Sequence, residues 1–178
     1  MNIYFSGIGG VGIGALASIA HSAGYKVFGS DQNPSLMTEE LIKKDIEIEI
    51  GKQDGSFLKD KFINNGVDWF VYTAALPKDH PELKTAQELG IKITKRDELL
   101  NEIITSKNLK LIAVSGTHGK TTTTGMAIWA FKQLNIPVSW SIGTTISFGE
   151  SGFFDPKSEY FIYEADEFDR NFLHFTPA

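Results

Sequence analysis

From residue 2 to about residue 115, short runs of apolar and β-branched residues alternate with stretches whose apolar positions recur at helical spacing. The runs Asn2–Ser6, Tyr25–Ser30, Ile46–Ile50, Val67–Thr73 and Ile91–Thr94 have the length and residue types of strands. Between the first two, Leu16, Ile19, Ala20 and Ala23 line up on one side of an amphipathic helix, and Asp79–Leu89 and Asp97–Thr105 read as later helices. This alternation predicts an α/β fold with a Rossmann-like parallel sheet and helices on its faces.

A second block starts after the polar, charged stretch Ser106–Lys110, so a domain boundary is expected between residues 106 and 107, giving domains 1–106 and 107–178. The strand Leu111–Ser115 leads into a glycine-bearing loop. The helix that follows has Met126, Ala127, Ala130, Phe131 and Leu134 as its expected apolar stripe. Pro137 opens another strand, Ser141–Gly152 is a Gly, Ser and Thr-rich loop, and Tyr160–Ala165 is a strand that runs into carboxylates. Trp69, Trp129 and Trp140 lie in apolar runs and are expected in the core.

Composition narrows the classes. With 178 residues, 42% of them hydrophobic, the chain can bury a real core, and no run approaches the ~18 apolar residues of a membrane helix. The N-terminus lacks the basic start of a secretory signal, so a cytoplasmic location is the expectation. The absence of cysteine excludes disulfides, thiolate metal sites and a cysteine nucleophile. A formal charge of −5 argues against nucleic acid as a partner, and any phosphate site must be local.

Two stretches have that local character. Gly7-Ile8-Gly9-Gly10-Val11-Gly12 fits G-x-G-x-x-G between a strand and a helix, where glycines let unpaired N–H groups and the helix dipole meet a diphosphate. Asp31, at the end of the second strand, is placed to meet ribose hydroxyls. The bland alternative is a tight turn that uses glycine for packing.

The second stretch, Gly116-Thr117-His118-Gly119-Lys120-Thr121, ends in the G-K-T of a P-loop, although Val114 stands where the common pattern has its first glycine. There backbone amides surround phosphates, the lysine ammonium neutralises their oxygens, and the threonine hydroxyl binds Mg²⁺. Thr122 is within reach of phosphate, Thr123 and Thr124 suit packing or capping, and His118 either contacts nucleotide or holds the loop. The strand ending at Glu164, with Asp166 and Glu167 behind it, offers a second Mg²⁺ ligand, with a solvated acidic loop as the alternative. His21 and His174 have no ligand spacing, whereas His80 sits in a loop where it could meet a ligand.

GIGGVG with Gly29-Ser30-Asp31, then VYTAALPKDHPE, ITKRDELL, GTHGKTTTT and EADEFDRNFLHFTP follow one another across nearly the whole chain, which on these motifs resembles the N-terminal part of a Mur ligase family member. The resemblance implies a first domain that binds the UDP moiety of UDP-N-acetylmuramate, through Gly7, Ile8, Gly9, Gly10, Val11, Gly12, Asp31, Thr73 and Arg96. It implies that ATP binds to Gly116, Thr117, His118, Gly119, Lys120, Thr121 and Thr122, with Thr121 and Glu164 serving Mg²⁺. The family's reaction moves the ATP γ-phosphoryl group to the muramoyl carboxylate, and an amino group attacks the acyl phosphate. Lys120 and Glu164 are the catalytic residues it implies, Lys120 by stabilising charge on the moving phosphoryl group.

The motif pattern favours L-alanine as acceptor, the alternative being the peptide acceptor of murein-recycling members. Phe168 stands where the family usually has serine, and Thr144 where it often has glycine. The rest of the ATP domain and the C-terminal amino-acid-binding domain lie outside the sequence, so the chain reads as truncated and unable to ligate alone. Two other classes compete: a UDP-sugar-binding module with an inactive ATPase segment, and an NAD-dependent oxidoreductase, which leaves GKTTTT unexplained.

Overall fold

In the computed structural model, which describes residues 1–73 and 75–165, the first strands build one parallel sheet. These are β1 (Asn2–Ser6), β2 (Lys26–Asp31), β3 (Glu47–Ile50), β4 (Trp69–Tyr72) and β5 (Lys92–Lys95), in the order β3-β2-β1-β4-β5. Ile3, Tyr4 and Phe5 of β1 are all buried, as expected of a central strand covered on both faces. The helices α1 (Val11–Ser22), α2 (Leu36–Ile42), α3 (Ser56–Asn65) and α4 (Pro81–Glu88) follow the first four strands in turn. α1 packs with α2, and α3 with α4. The chain leaves β1 toward β2 on one side and returns to β4 on the other, so the C-terminal ends of β1 and β4 flank the switch point at which such sheets bind ligands.

The α1–α2 contact depends on Gly14. A Cβ there would lie 2.7 Å from the Ile8 carbonyl oxygen and would collide with Met37. The helices α2 and α3 were not legible in the apolar periodicity. α2 spans 7 residues and buries only Thr38 and Leu41; it is fixed instead by a capping box in which Ser35 and Thr38 exchange hydrogen bonds. α3 buries only Leu58 and starts after Gly55 in the left-handed region, at φ 86°.

The chain divides into two compact units, Met1–Arg96 and Asp97–Ala178. All but the first residue of helix α5 (Arg96–Ser106) thus falls in the second unit, and the boundary expected after Ser106 lies at the far end of that helix. The second unit continues with β6 (Lys110–Val114), α6 (Lys120–Gln133), β7 (Val138–Ser141), β8 (Gly152–Phe153) and β9 (Tyr160–Glu164). Its sheet order is β6-β9-β7-β8, with β6, β9 and β7 parallel and the short β8 antiparallel to β7. Ile128, Val138, Trp140, Ile142 and Ile162 form its core.

Two expectations are corrected here. The inward face of α6 is Thr124 and Ile128, with Ala127 and Phe131 at its margin, while Met126 and Leu134 are 67% and 69% exposed and Ala130 also faces solvent. The apolar residues of this helix nearly surround it, so periodicity alone could not choose a face. Trp129 is accordingly 52% exposed, whereas Trp69 and Trp140 are buried as expected. No helix among the described residues is long and apolar enough to cross a membrane.

Candidate functional site

The glycine loop of the first unit leaves β1 at Ser6 and enters α1 after Gly10. Its entry is fixed by the Ser30 carbonyl, which accepts from Gly7 N at 2.9 Å and Ile8 N at 3.0 Å. The Ile8 side chain points into the core against Gly29, so only its backbone faces the loop. Asp31 Oδ2 accepts from Gly9 N at 2.7 Å, and Ser35 Oγ donates to the Gly9 carbonyl at 3.1 Å. The carboxylate expected at a ribose therefore rests on a loop amide.

The remaining residues expected on this side gather there too. The Thr73 methyl would be 3.0 Å from a Cβ on Gly7, and the Arg96 guanidinium lies where a Cβ on Gly12 would collide with it. Gly10 and Val11 are exposed at the start of α1, where unpaired helix N–H groups and the positive end of the dipole favour an anion. Beside the loop lies a cavity of about 410 Å³ lined by residues including Gln32, Gln53, Thr73 and His80. His80 Nδ1 is buried without a hydrogen-bond partner among the described residues. Sequence reasoning missed Ser35, Gln32 and Gln53, because no motif marks them; Ser35 was detectable only as a helix cap.

In the second unit the register of β6 and β9 pairs Val114 with Glu164, so the loop leaving β6 starts beside the strand end that carries the carboxylate. Thr121 Oγ1 donates to Glu164 Oε1 at 2.6 Å, and Gly143 N donates to Glu164 Oε2 at 2.7 Å. Lys120 Nζ donates to the Gly116 carbonyl at 2.7 Å, which folds the side chain back over the loop. Gly119 caps α6 at φ 76°, a conformation that glycine adopts without strain. Thr117, His118 and Thr122 are exposed, Thr123 donates its N–H to Gly119 O at 2.9 Å, and Thr124 is buried.

Thr121 and Glu164 supply two hard oxygen donors at a helix N-terminus, which suits Mg²⁺ bound by few protein ligands and by phosphate oxygens. No cluster of three or more His, Cys, Asp or Glu able to hold a metal occurs among the described residues. Gly143 went unpredicted as a partner of Glu164, since a backbone N–H leaves no residue-type signal. Asp166, Glu167, Phe168 and His174 lie outside the described residues.

Fold and sites together define an α/β protein with a Rossmann-type glycine loop in one unit and a P-loop-like turn, closed by a carboxylate, in the next. The model of the Mur ligase family catalytic domain matches residues 2–108. The chain belongs to the Mur ligase family. It is 37% identical over 176 residues to the UDP-N-acetylmuramate–L-alanine ligase of Porphyromonas gingivalis, covering 98% of this chain and 38% of that protein. To the ligase of the same name from Clostridium acetobutylicum it is 40% identical over 175 residues, covering 98% of this chain and 36% of that one.

Among solved structures, UDP-N-acetylmuramate-alanine ligase from Thermotoga maritima matches with a TM-score of 0.84 and 30% identity, covering 99% of this chain and 40% of that one. UDP-N-acetylmuramate:L-alanyl-gamma-D-glutamyl-meso-diaminopimelate ligase from Neisseria meningitides matches with a TM-score of 0.85 and 29% identity, covering 99% and 58%. The chain thus spans about 38% of the length of the curated relatives first matched.

Proposed function

We propose that these residues form the UDP-sugar-binding and ATP-loop part of an ATP-dependent ligase that joins L-alanine to UDP-N-acetylmuramate. The observation that carries the reading is the 2.6 Å contact between Thr121, at the first turn after the loop, and Glu164, at the end of the adjacent strand. A threonine and a carboxylate brought together at that place are what a Mg²⁺-nucleotide needs. The identity of 37–40% to ligases of that name supports the substrate assignment.

In this reading the diphosphate meets the N–H groups of Val11 and Gly12 at the start of α1, and that of Gly9 where it displaces Asp31, while Gly7 and Ile8 stay bonded to Ser30. Thr73 and Arg96 border it, and the cavity near Gln53 and His80 receives the nucleoside. Mg²⁺ would be held by Thr121 and Glu164 and would supply neutralisation of phosphate charge. The Lys120 ammonium meets the γ-phosphoryl oxygens while a muramoyl carboxylate oxygen bonds to phosphorus and the bond to the ADP oxygen breaks. The amine of L-alanine then attacks the carbonyl carbon, phosphate departs with its oxygen, and the amine gives up a proton as the amide forms.

Replacing Lys120 with alanine in the full-length protein tests this. Amide formation should fall on the order of 10²- to 10³-fold, the usual loss for one electrostatic stabiliser, while UDP-N-acetylmuramate still binds. Turnover at the normal rate would overturn the proposal. The activity named for the Neisseria meningitides neighbour, which pairs UDP-N-acetylmuramate with L-alanyl-gamma-D-glutamyl-meso-diaminopimelate, is separated by comparing L-alanine with that tripeptide as acceptor.

A further inference from the structure

Glu82 is fully buried, yet neither phosphate loop contains it. It stands in the first turn of α4, directly after Pro81, and His80 is the N-cap of that helix. Its carboxylate collects donors from three separate parts of the first unit. Tyr4 Oη donates to Oε1 at 2.7 Å; Ser6 Oγ and Ser30 Oγ donate to Oε2 at 2.6 and 2.8 Å. Gln53 Nε2 sits 3.0 Å from Ser30 Oγ and 3.4 Å from Glu82 Oε2. Burial of a carboxylate is unfavourable unless hydrogen bonds replace its water, and here hydroxyls and an amide do so.

The identity of those donors gives the arrangement a direction. Ser6 is the last residue before the glycine loop, and Ser30 is the last before Asp31. Ser30 also holds Gly7 and Ile8 through its carbonyl, and Asp31 holds Gly9. Gln53 and His80, both tied to Glu82 by contact or by chain, line the neighbouring cavity. One oxygen of Glu82 thus sets the spacing between the ends of β1 and β2, from which the loop and its aspartate project. The other oxygen holds Tyr4, two residues further from the loop than Ser6.

The geometry points to Glu82 as the positioning residue of the sugar-nucleotide site: through Ser6 and Ser30 it fixes the glycine loop and Asp31 in the register that the diphosphate requires. This inference rests on the UDP-N-acetylmuramate reading above. It acts by hydrogen-bond geometry, so a glutamine should substitute: its amide oxygen can keep the two serine contacts, while the amide nitrogen turns to the Tyr4 hydroxyl, which can accept.

The test is calorimetric titration of full-length wild-type protein and the variants E82Q, E82L, Y4F and the double variant S6A/S30A, at a temperature where circular dichroism reports each as folded. UDP-N-acetylmuramate affinity should fall at least about tenfold in E82L and S6A/S30A, and stay within about threefold in E82Q and Y4F, with Mg-ATP affinity unchanged throughout. If E82L does not fold, S6A/S30A decides, because it leaves the carboxylate, Tyr4 and α4 in place. Wild-type affinity in folded S6A/S30A would overturn the inference, as would a loss in Y4F as large as in the serine variant. A wild-type protein that does not bind UDP-N-acetylmuramate at all would instead remove the functional reading, and this inference with it.

Discussion

Tyr4 illustrates how a single side chain is committed by its surroundings. Burial first, and the negative charge of Glu82 next, push its hydroxyl far above the ordinary tyrosine range, so it remains a donor to that carboxylate. A group whose pKa is raised by folding contributes stability that is intact below its unfolded value, here about 10, and is lost as pH rises beyond it. The stability difference between wild type and Y4F, measured by urea unfolding over a pH series, should therefore be constant up to about pH 10 and shrink above it. A difference that stays flat well into the alkaline range would mean that Tyr4 ionises alike in both states. Glu164 shows the complementary case, a carboxylate whose two oxygens are engaged separately by Thr121 and Gly143.

At the level of elements, the tryptophans separate what periodicity can and cannot decide. Trp140 is buried against Ile128 and Ile162 in the second core, and its truncation to alanine should cost ~3–5 kcal/mol. Trp129, half-exposed on α6, should cost only about 0.5 kcal/mol, a contrast that thermal or urea unfolding of the two variants would measure. The central strands were legible because buried parallel strands are continuous apolar runs, and β1 matches its expected span of Asn2–Ser6, whereas the edge strands β3 and β5 mix polar and β-branched residues. The two turns were legible as turns because glycines between an apolar strand and a helix mark a tight reversal, at Gly7–Gly12 and Gly116–Gly119. Ser35, Ser6, Ser30 and Glu82 were not, since an isolated serine or glutamate carries no signal until the fold brings its partners together. The side of α6 that faces the core was hidden by the opposite problem, a surplus of apolar residues around the helix.

For the molecule as a whole, the parallel sheets place each loop at the C-terminal end of the strand it follows, β1 in one unit and β6 in the other. Hydrogen exchange on the full-length protein should then give the largest gain in amide protection across residues 7–12 with UDP-N-acetylmuramate, and across residues 116–122 with Mg-ATP. Protection gained at neither loop would contradict the assignment of ligands to units. The Asp31–Gly9 bond adds a condition to the first of these events. Any anion arriving there must compete with a carboxylate tethered to the same sheet, present at high local concentration and already aligned. A small free anion has only that amide and its neighbours to gain, so it is disfavoured; a large ligand with further grips along the cavity can outbid the tether. Under the proposed function the aspartate would thus act as an internal competitor against small anions, released from Gly9 toward the ribose when the sugar nucleotide binds.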